Sequence, residues 1–337
     1  MKISIIKPQS LFSLLIFLTI LLLSCKKEEQ KTFSKPASTE IKKDSLISPK
    51  INLNDFNIFE INPIDNGKEY DIFISLSDIY NDSLSLPPEI ITNQKNMSFD
   101  ELKHIELPLT YREKLLKRTK LMEKDTLYLY NYKANMLEKF PINSLKAVAN
   151  LHVYASEGDE ISEYDYMIGF QLNKTEYEEK AMEKANFVFA YFGNQNPFNE
   201  KPLTSIQWKK VSLDKFPVKT QHKTLKTGNA YLYQTEDLQY FILDLIGEFG
   251  VTERQLAVLK NRKLIFEKNY TLGEGSGFAS LNGIENMEYP NYLWTGNLFK
   301  GKPPVIFGFV FQSFGCPSID FLDQNYSEIY TKCDNRH

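Results

Sequence analysis

Short segments in which apolar and polar residues alternate run through most of the chain. Asp125–Tyr132 places two leucines on one face and three tyrosines on the other, which is the period of two that a β-strand shows. Gln255–Leu259 and Leu264–Tyr270 are separated only by residues 260–263 and predict a hairpin. Further strands are predicted at Tyr70–Leu76, Met136–Ile142, Ala147–Ala155, Tyr166–Leu172, Phe187–Phe192, Ile206–Val211, Ala230–Gln234, Tyr240–Ile246 and Val305–Phe311.

Helical signals are few. Ser98 followed by Glu101, and Thr110 followed by Glu113, both fit a capping box. Helices are predicted at Tyr111–Met122 and Thr175–Lys184. Aromatic residues make up 13% of the chain, with 24 Phe and 19 Tyr, and these residue types favour strands. The sequence therefore predicts a mainly β protein, an antiparallel sandwich or barrel-like body with a few short helices.

The N-terminal segment is a targeting signal rather than part of the fold. Lys2 and Lys7 precede an apolar run, Leu11–Leu23, that small Ser24 separates from Cys25. A helix needs roughly 20 apolar residues to cross a bilayer, so this run is too short to span one. A charged start, a short apolar core and a small residue at the cleavage point are typical of a removable signal peptide. An ordinary secretory signal followed by a chance cysteine is the alternative.

Residues 1–29 resemble the signal peptide of bacterial lipoproteins, whose cleavage motif is Leu-x-small-Cys. The matching residues are Leu-Leu-Ser-Cys at 22–25. The resemblance implies cleavage before Cys25, acylation of Cys25, and attachment to a membrane through that lipid. Residues 26–29, Lys-Lys-Glu-Glu, lack the Asp that retains many lipoproteins in the inner membrane and resemble a surface-export signal. We expect an outer-membrane lipoprotein of a Gram-negative bacterium, facing either the cell surface or the periplasm.

Composition divides the chain into three parts. Residues 1–24 are the predicted signal peptide, and residues 25–50 are polar and rich in Lys, Glu and Ser, which predicts a flexible lipid-anchored tether. Residues 51–337 are long enough for one large globular β-rich region or for two smaller ones. A division into two subdomains would fall at residues 193–201, which are rich in Asn, Gly and Pro.

Charge and histidine spacing argue against several classes of ligand. The net charge of −3 becomes −5 once the signal peptide is removed, because that segment holds two lysines and no acid. A nucleic-acid partner is not expected, since binding to phosphates needs clustered Lys and Arg. The four histidines are far apart and show no metal-ligand spacing, so no metal and no cofactor is predicted. The acidic residues of 156–165 predict a solvated loop, with calcium binding as the alternative.

The chain has three cysteines, and two of them remain to form a pair if Cys25 is lipidated. With Cys25 carrying the lipid, Cys316 and Cys333 are predicted to form a disulfide in an oxidising compartment. Two buried free thiols are the alternative.

No motif defines a reaction, and the catalytic residues, if there are any, are unknown. The sequence favours a non-catalytic binding or interaction role with a glycan or a protein partner. Tyr292, Trp294 and Ser276 are the candidate binding residues, because they lie among Gly and Pro residues where side chains can contact a ligand. Core packing is the alternative for Trp294. Two other functions stay open: an extracytoplasmic hydrolase that uses carboxylates, and a protective or immunity lipoprotein.

Overall fold

The computed structural model describes residues 56–65, 70–79, 86–172, 187–218, 224–284 and 292–335. These residues all belong to one compact unit, Asn52–His337. The signal peptide, the tether with Cys25 and the predicted helix Thr175–Lys184 lie outside the described residues. No helix among the residues described has the length and apolar composition needed to cross a membrane.

Strands dominate the described ranges, so the predicted mainly β fold is confirmed. The α-helices are α1 (Pro88–Asn93), α2 (Phe99–Lys103) and α3 (Leu109–Thr119). The first strands are β1 (Asn62–Asp65), β2 (Tyr70–Ser75), β3 (His104–Glu106), β4 (Thr126–Asn131), β5 (Met136–Pro141), β6 (Lys146–Leu151), β7 (Tyr166–Gln171), β8 (Val188–Gly193), β9 (Thr204–Ser205) and β10 (Lys209–Val211). The remaining strands are β11 (Lys226–Gln234), β12 (Leu238–Gly247), β13 (Gly250–Lys260), β14 (Lys263–Thr271), β15 (Gly277–Phe278), β16 (Trp294–Gly296), β17 (Val305–Phe307), β18 (Val310–Phe311), β19 (Ser318–Phe321) and β20 (Ile329–Tyr330).

Every pairing between these strands is antiparallel. The sheet orders are β1-β2-β7-β6-β3, β5-β4-β8, β10-β11-β12-β13-β14, β20-β19-β17-β16-β9 and the pair β15-β18. The predicted hairpin is confirmed as β13 and β14, which pair from Glu253 opposite Thr271 to Lys260 opposite Lys263.

Two sheets of the C-terminal half pack face to face around one apolar core. Alternate residues of β12, β13 and β14 point inward, as the period of two requires. They meet residues of β17 and of the segment after it, including Ile306 and Phe309. The buried members include Trp208, Tyr240, Ile242, Leu256, Val258 and Phe266. This part of the chain is therefore an antiparallel sandwich.

The N-terminal half has its own core, in which α3 packs on the sheet β1-β2-β7-β6-β3. Leu115 and Leu116 of α3 are buried in it. The helix begins earlier than predicted, at Leu109, because Pro108 starts it without a side-chain cap. Thr110 therefore lies inside the helix, and its predicted capping box does not form. The capping box of Ser98 and Glu101 is confirmed at the start of α2.

The predicted strand Val305–Phe311 is two strands. β17 ends at Phe307 and β18 begins at Val310, with Gly308 between them at φ +91°. Only glycine adopts this backbone conformation without strain. The chain turns at this point, so that β17 pairs with β16 and β19, whereas β18 pairs with β15.

The predicted disulfide is present between Cys316 and Cys333. The loop it closes holds both β19 and β20. Closing a loop of 17 residues restricts the unfolded chain, by about 3 kcal/mol on the chain-entropy account.

Replacing both cysteines, Cys316→Ser with Cys333→Ser, is expected to lower the free energy of unfolding by about 3 kcal/mol. Urea denaturation of the purified protein in detergent measures this loss. Adding a reductant to the wild-type protein should reproduce it and should leave the double variant unchanged. Equal urea midpoints for the two proteins would contradict the prediction.

Candidate binding site

A lysine on β14 points toward the apolar core of the sandwich. Phe266, Lys268 and Tyr270 alternate along β14 on the face that packs inward, and both aromatic residues belong to the core. β14 is the edge strand of its sheet. The amine of Lys268 therefore needs partners from the opposing sheet, because an unpaired charge is costly at a buried position.

Asp320 of β19 is the main partner of Lys268. It lies opposite Ile306 of β17 and so shares the face that turns to the core. Its Oδ1 accepts a hydrogen bond from Lys268 Nζ at 2.7 Å, and its Oδ2 accepts one from Tyr270 Oη at 2.6 Å. The side chain of Asp320 is only 5% exposed. These contacts join the two sheets of the sandwich through a partly buried ion pair.

Glu328 completes this network from the segment before β20. Its Oε2 accepts a hydrogen bond from Lys268 Nζ, and its Oε1 accepts one from Tyr330 Oη at 2.6 Å. Each of the four carboxylate oxygens of Asp320 and Glu328 thus accepts a hydrogen bond from a donor of the protein. Two carboxylates share one ammonium group, so the network has one net negative charge when all three groups are ionised.

The two carboxyl groups have pKa values shifted in opposite directions. Burial raises the pKa of Asp320 above its ordinary value, although Lys268 and Tyr270 act to lower it. Burial alone would raise the pKa of Glu328, but hydrogen bonds from Lys268 and Tyr330 outweigh it, and the net pKa is lowered. Burial by itself would lower the pKa of Lys268, yet the two carboxylates raise it overall. The amine is therefore held in its charged form.

A cavity of about 220 Å³ lies beside this network, and we call it the polar chamber. It is lined by the network residues and by Ser318, Gln312 and Asn269. Its lining combines donors, acceptors and the ring of Tyr330, a residue that is 56% exposed. Polar groups arranged in this way fix the orientation of a small ligand.

A second cavity of about 320 Å³, the apolar chamber, adjoins the first. Its walls are mostly apolar and include five aromatic residues: Tyr132, Phe189, Tyr292, Phe307 and Phe311. Glu60 is the one acidic residue among the described residues that line it. Phe307, Gly308, Val310, Pro317 and Ser318 line both chambers.

Gly308 forms the wall that the chambers share. A Cβ atom at this position would lie 1.9 Å from the carbonyl oxygen of Tyr292, closer than any real contact. The residues on either side of Gly308 contact different aromatic rings. Phe307 packs on Phe189, with ring centres 5.4 Å apart, and Phe309 stacks on Tyr270 at 4.5 Å. The glycine thus lets one short segment supply residues to both chambers.

The structure places one of the three predicted binding residues, Tyr292, in the lining of the chambers and leaves Ser276 and Trp294 outside it. Tyr292 lines the apolar chamber and contacts Phe311 edge to face, with ring centres 4.7 Å apart. Ser276 directly precedes β15, whose Gly277 pairs with the same Phe311. Trp294 lies behind the chamber wall: it is 6% exposed and packs on Tyr132 at 5.3 Å. From this position Trp294 supports the wall.

Across the described ranges, no group of three or more His, Cys, Asp or Glu residues is arranged to hold a metal ion. The acidic residues at 157, 159, 160 and 163 are exposed or half-buried. The backbone amide of Ser156 donates to Asp159 Oδ2 at 2.8 Å, a local turn contact.

Sequence reasoning missed the network of Lys268, Asp320 and Glu328. One signal was present: Lys268 interrupts the apolar face of a strand whose neighbours on that face are Phe266 and Tyr270. An inward charge on a strand calls for a buried partner. The partner itself could not be identified, because it lies 52 residues further along the chain and in another sheet.

Comparison with known proteins gives no match to a protein-family model, to a curated protein or to a solved structure.

Gly308→Ala is expected to lower the free energy of unfolding by at least about 2 kcal/mol, because it adds a backbone clash to an unfavourable φ. Gly301→Ala is the matched control. Gly301 has φ +65° but nothing within 4 Å of an added Cβ, so only the conformational cost of about 1 kcal/mol should remain. Thermal unfolding of both variants measures the difference. Equal losses would show that the contact with Tyr292 does not constrain this position.

Proposed function

We propose that this protein is a lipid-anchored binding lipoprotein of the bacterial outer membrane, and that it holds a glycan in the polar and apolar chambers. Attachment would use the lipid on Cys25, and the polar segment 26–50 would act as the tether, as its composition indicates. The observation that carries the proposal is that two chambers of different chemical character lie side by side. One offers hydrogen-bonding groups, and the other offers aromatic rings.

A sugar ring presents both kinds of surface. Its hydroxyl groups need donors and acceptors, and its C–H faces pack on aromatic rings. Tyr330 on one side of the site and Phe311 on the other are 56% and 44% exposed, so both rings are accessible to a ligand. The wall that the chambers share separates these two rings. A ligand that contacts both rings would therefore need more than one sugar unit.

A carboxylate-dependent hydrolase is the second candidate function. The observation that favours it is the opposite shift of the Asp320 and Glu328 pKa values, the pattern of a paired acid and base. Binding is the better-supported reading, because Lys268 lies between the two carboxylates and all four of their oxygens already accept hydrogen bonds. Turnover of a glycan substrate that Asp320→Asn abolishes in a folded variant would establish the hydrolase.

Cys25→Ser is expected to abolish lipid attachment and membrane association, since Cys25 supplies the only thiol at the cleavage motif. Metabolic labelling with radioactive palmitate and detergent phase partitioning measure both effects. Cys316→Ser serves as the control and should keep the label. Label retained in Cys25→Ser would rule out the anchor. If the label is lost, protease treatment of intact cells shows which side of the membrane the wild-type body faces.

Phe311→Ala and Tyr330→Ala are each expected to weaken glycan binding about tenfold, the effect of losing one packed aromatic ring. Isothermal titration of the full chain in detergent, with a panel of neutral oligosaccharides, measures the affinity. Phe249→Ala is the control, because Phe249 is 93% exposed at the turn between β12 and β13, away from both chambers. Unchanged affinity in both site variants would show that any glycan binds elsewhere. If the wild-type protein binds no oligosaccharide of the panel, the glycan proposal is rejected and a protein ligand becomes the alternative.

A further inference from the structure

The apolar chamber combines aromatic walls with a single acidic residue. Of the described residues that line it, none is a lysine, arginine or histidine. Glu60 is therefore the only acidic or basic side chain among the described residues that line this chamber. Aromatic rings also attract cations, since the face of a ring carries partial negative charge.

Glu60 is held in place by the C-terminal segment of the chain. Its backbone amide donates to the carbonyl of Lys332 at 2.9 Å, and its Oε1 accepts a hydrogen bond from Thr331 Oγ1 at 3.1 Å. Burial raises the pKa of Glu60 above its ordinary value, and the charge of Asp78 raises it further. A carboxylate in such surroundings is poorly solvated, so a cation entering the chamber would stabilise it.

The rings around Glu60 come from several elements. Tyr132 follows β4, Phe189 belongs to β8 and Phe307 to β17, while Tyr292 and Phe311 meet near Gly308. Phe311 is partly exposed, so this wall borders solvent. A cavity of about 320 Å³ is at the small end of the range for ligand pockets. It suits one ammonium-bearing group rather than a long chain.

We propose that the apolar chamber binds an organic ammonium group, which Glu60 neutralises and the surrounding aromatic rings enclose. The inference rests on the proposed binding function and narrows its ligand to an amine-bearing glycan. The polar chamber supports this choice, because Asp320 and Glu328 together outweigh the single charge of Lys268. An anionic ligand would meet the net negative charge of that network, and it would find no Lys, Arg or His among the described residues of the apolar chamber.

The test compares choline with its uncharged carbon isostere, 3,3-dimethyl-1-butanol, by isothermal titration of the full chain in detergent at pH 7. These two probes have the same shape and differ only in charge. We expect choline to bind at least tenfold more tightly. Glu60→Gln should abolish that preference, and Phe311→Leu, which keeps an apolar side chain but removes the ring, should weaken choline about threefold. Glu113→Gln, at an exposed position on α3, is the control and should change nothing.

A second pair of probes separates this inference from the proposed function. A glucosamine trisaccharide carries free amines, and its N-acetylated form carries none. Tighter binding of the first, lost in Glu60→Gln, supports both proposals. Equal binding of the two sugars, unchanged in Glu60→Gln, overturns the ammonium site but keeps the glycan site. Binding of choline and of a lysine-rich peptide through Glu60, with no sugar bound, keeps the ammonium site and overturns the glycan.

Equal binding of choline and the alcohol in the wild-type protein also overturns the inference. If Glu60→Gln fails to give the wild-type circular dichroism spectrum, the Phe311→Leu variant decides: unchanged choline affinity there rejects the aromatic enclosure.

Discussion

The packing of aromatic rings around Tyr132 holds the two halves of this protein together. Tyr132 follows β4 in the N-terminal half and contacts Trp294 and Phe307 of the C-terminal sheets, each at 5.3 Å between ring centres. It also packs on Phe189 at 5.1 Å. Aromatic side chains bury more area than any other type, so a cluster of this size contributes strongly to stability. Since three of these rings line the apolar chamber, the shape of the chamber follows from the same packing.

Tyr132 itself is buried in this packing and is only 6% exposed. Burial raises its pKa strongly, and the charge of nearby Glu60 raises it further. The phenol therefore stays neutral across the physiological range, and Glu60 supplies the one carboxyl group among the described residues that line the chamber. The apolar chamber thus has one carboxyl group among its described lining residues, whereas Lys268, Asp320 and Glu328 all line the polar chamber.

Much of the fold could be predicted because it depends on local patterns. Alternation identified β4, β7 and the hairpin of β13 and β14, and the residues Ser98 and Glu101 identified the start of α2. The pairing of Cys316 with Cys333 followed from counting. The break between β17 and β18 was missed, since Gly308 lies in an unbroken apolar run and its close contact with Tyr292 exists only in the folded chain. The start of α3 was missed because proline replaced the expected cap.

The site was harder to predict for a related reason. Tyr292 and Ser276 were noticed because they lie near Gly and Pro residues, yet nothing local indicated that Phe311 would contact Tyr292 and pair with Gly277, the residue after Ser276. The network of Lys268, Asp320 and Glu328 arises where two sheets pack, and no spacing rule connects residues that a sandwich brings together from separate strands. Sequence patterns describe one strand at a time. Contacts between sheets are decided by the packing of many side chains at once.

The inward charge of Lys268 has a consequence for how neighbouring molecules meet. β14 is a sheet edge, and an exposed edge can pair with a strand of another chain. An inward-pointing charged residue on such a strand is one of the features that discourage this pairing. Gln324 covers part of the same edge, since its side-chain amide donates to the carbonyl of Glu267 at 3.1 Å. The inward lysine and the contact of Gln324 therefore both limit the pairing of this edge with a strand of another copy of the protein.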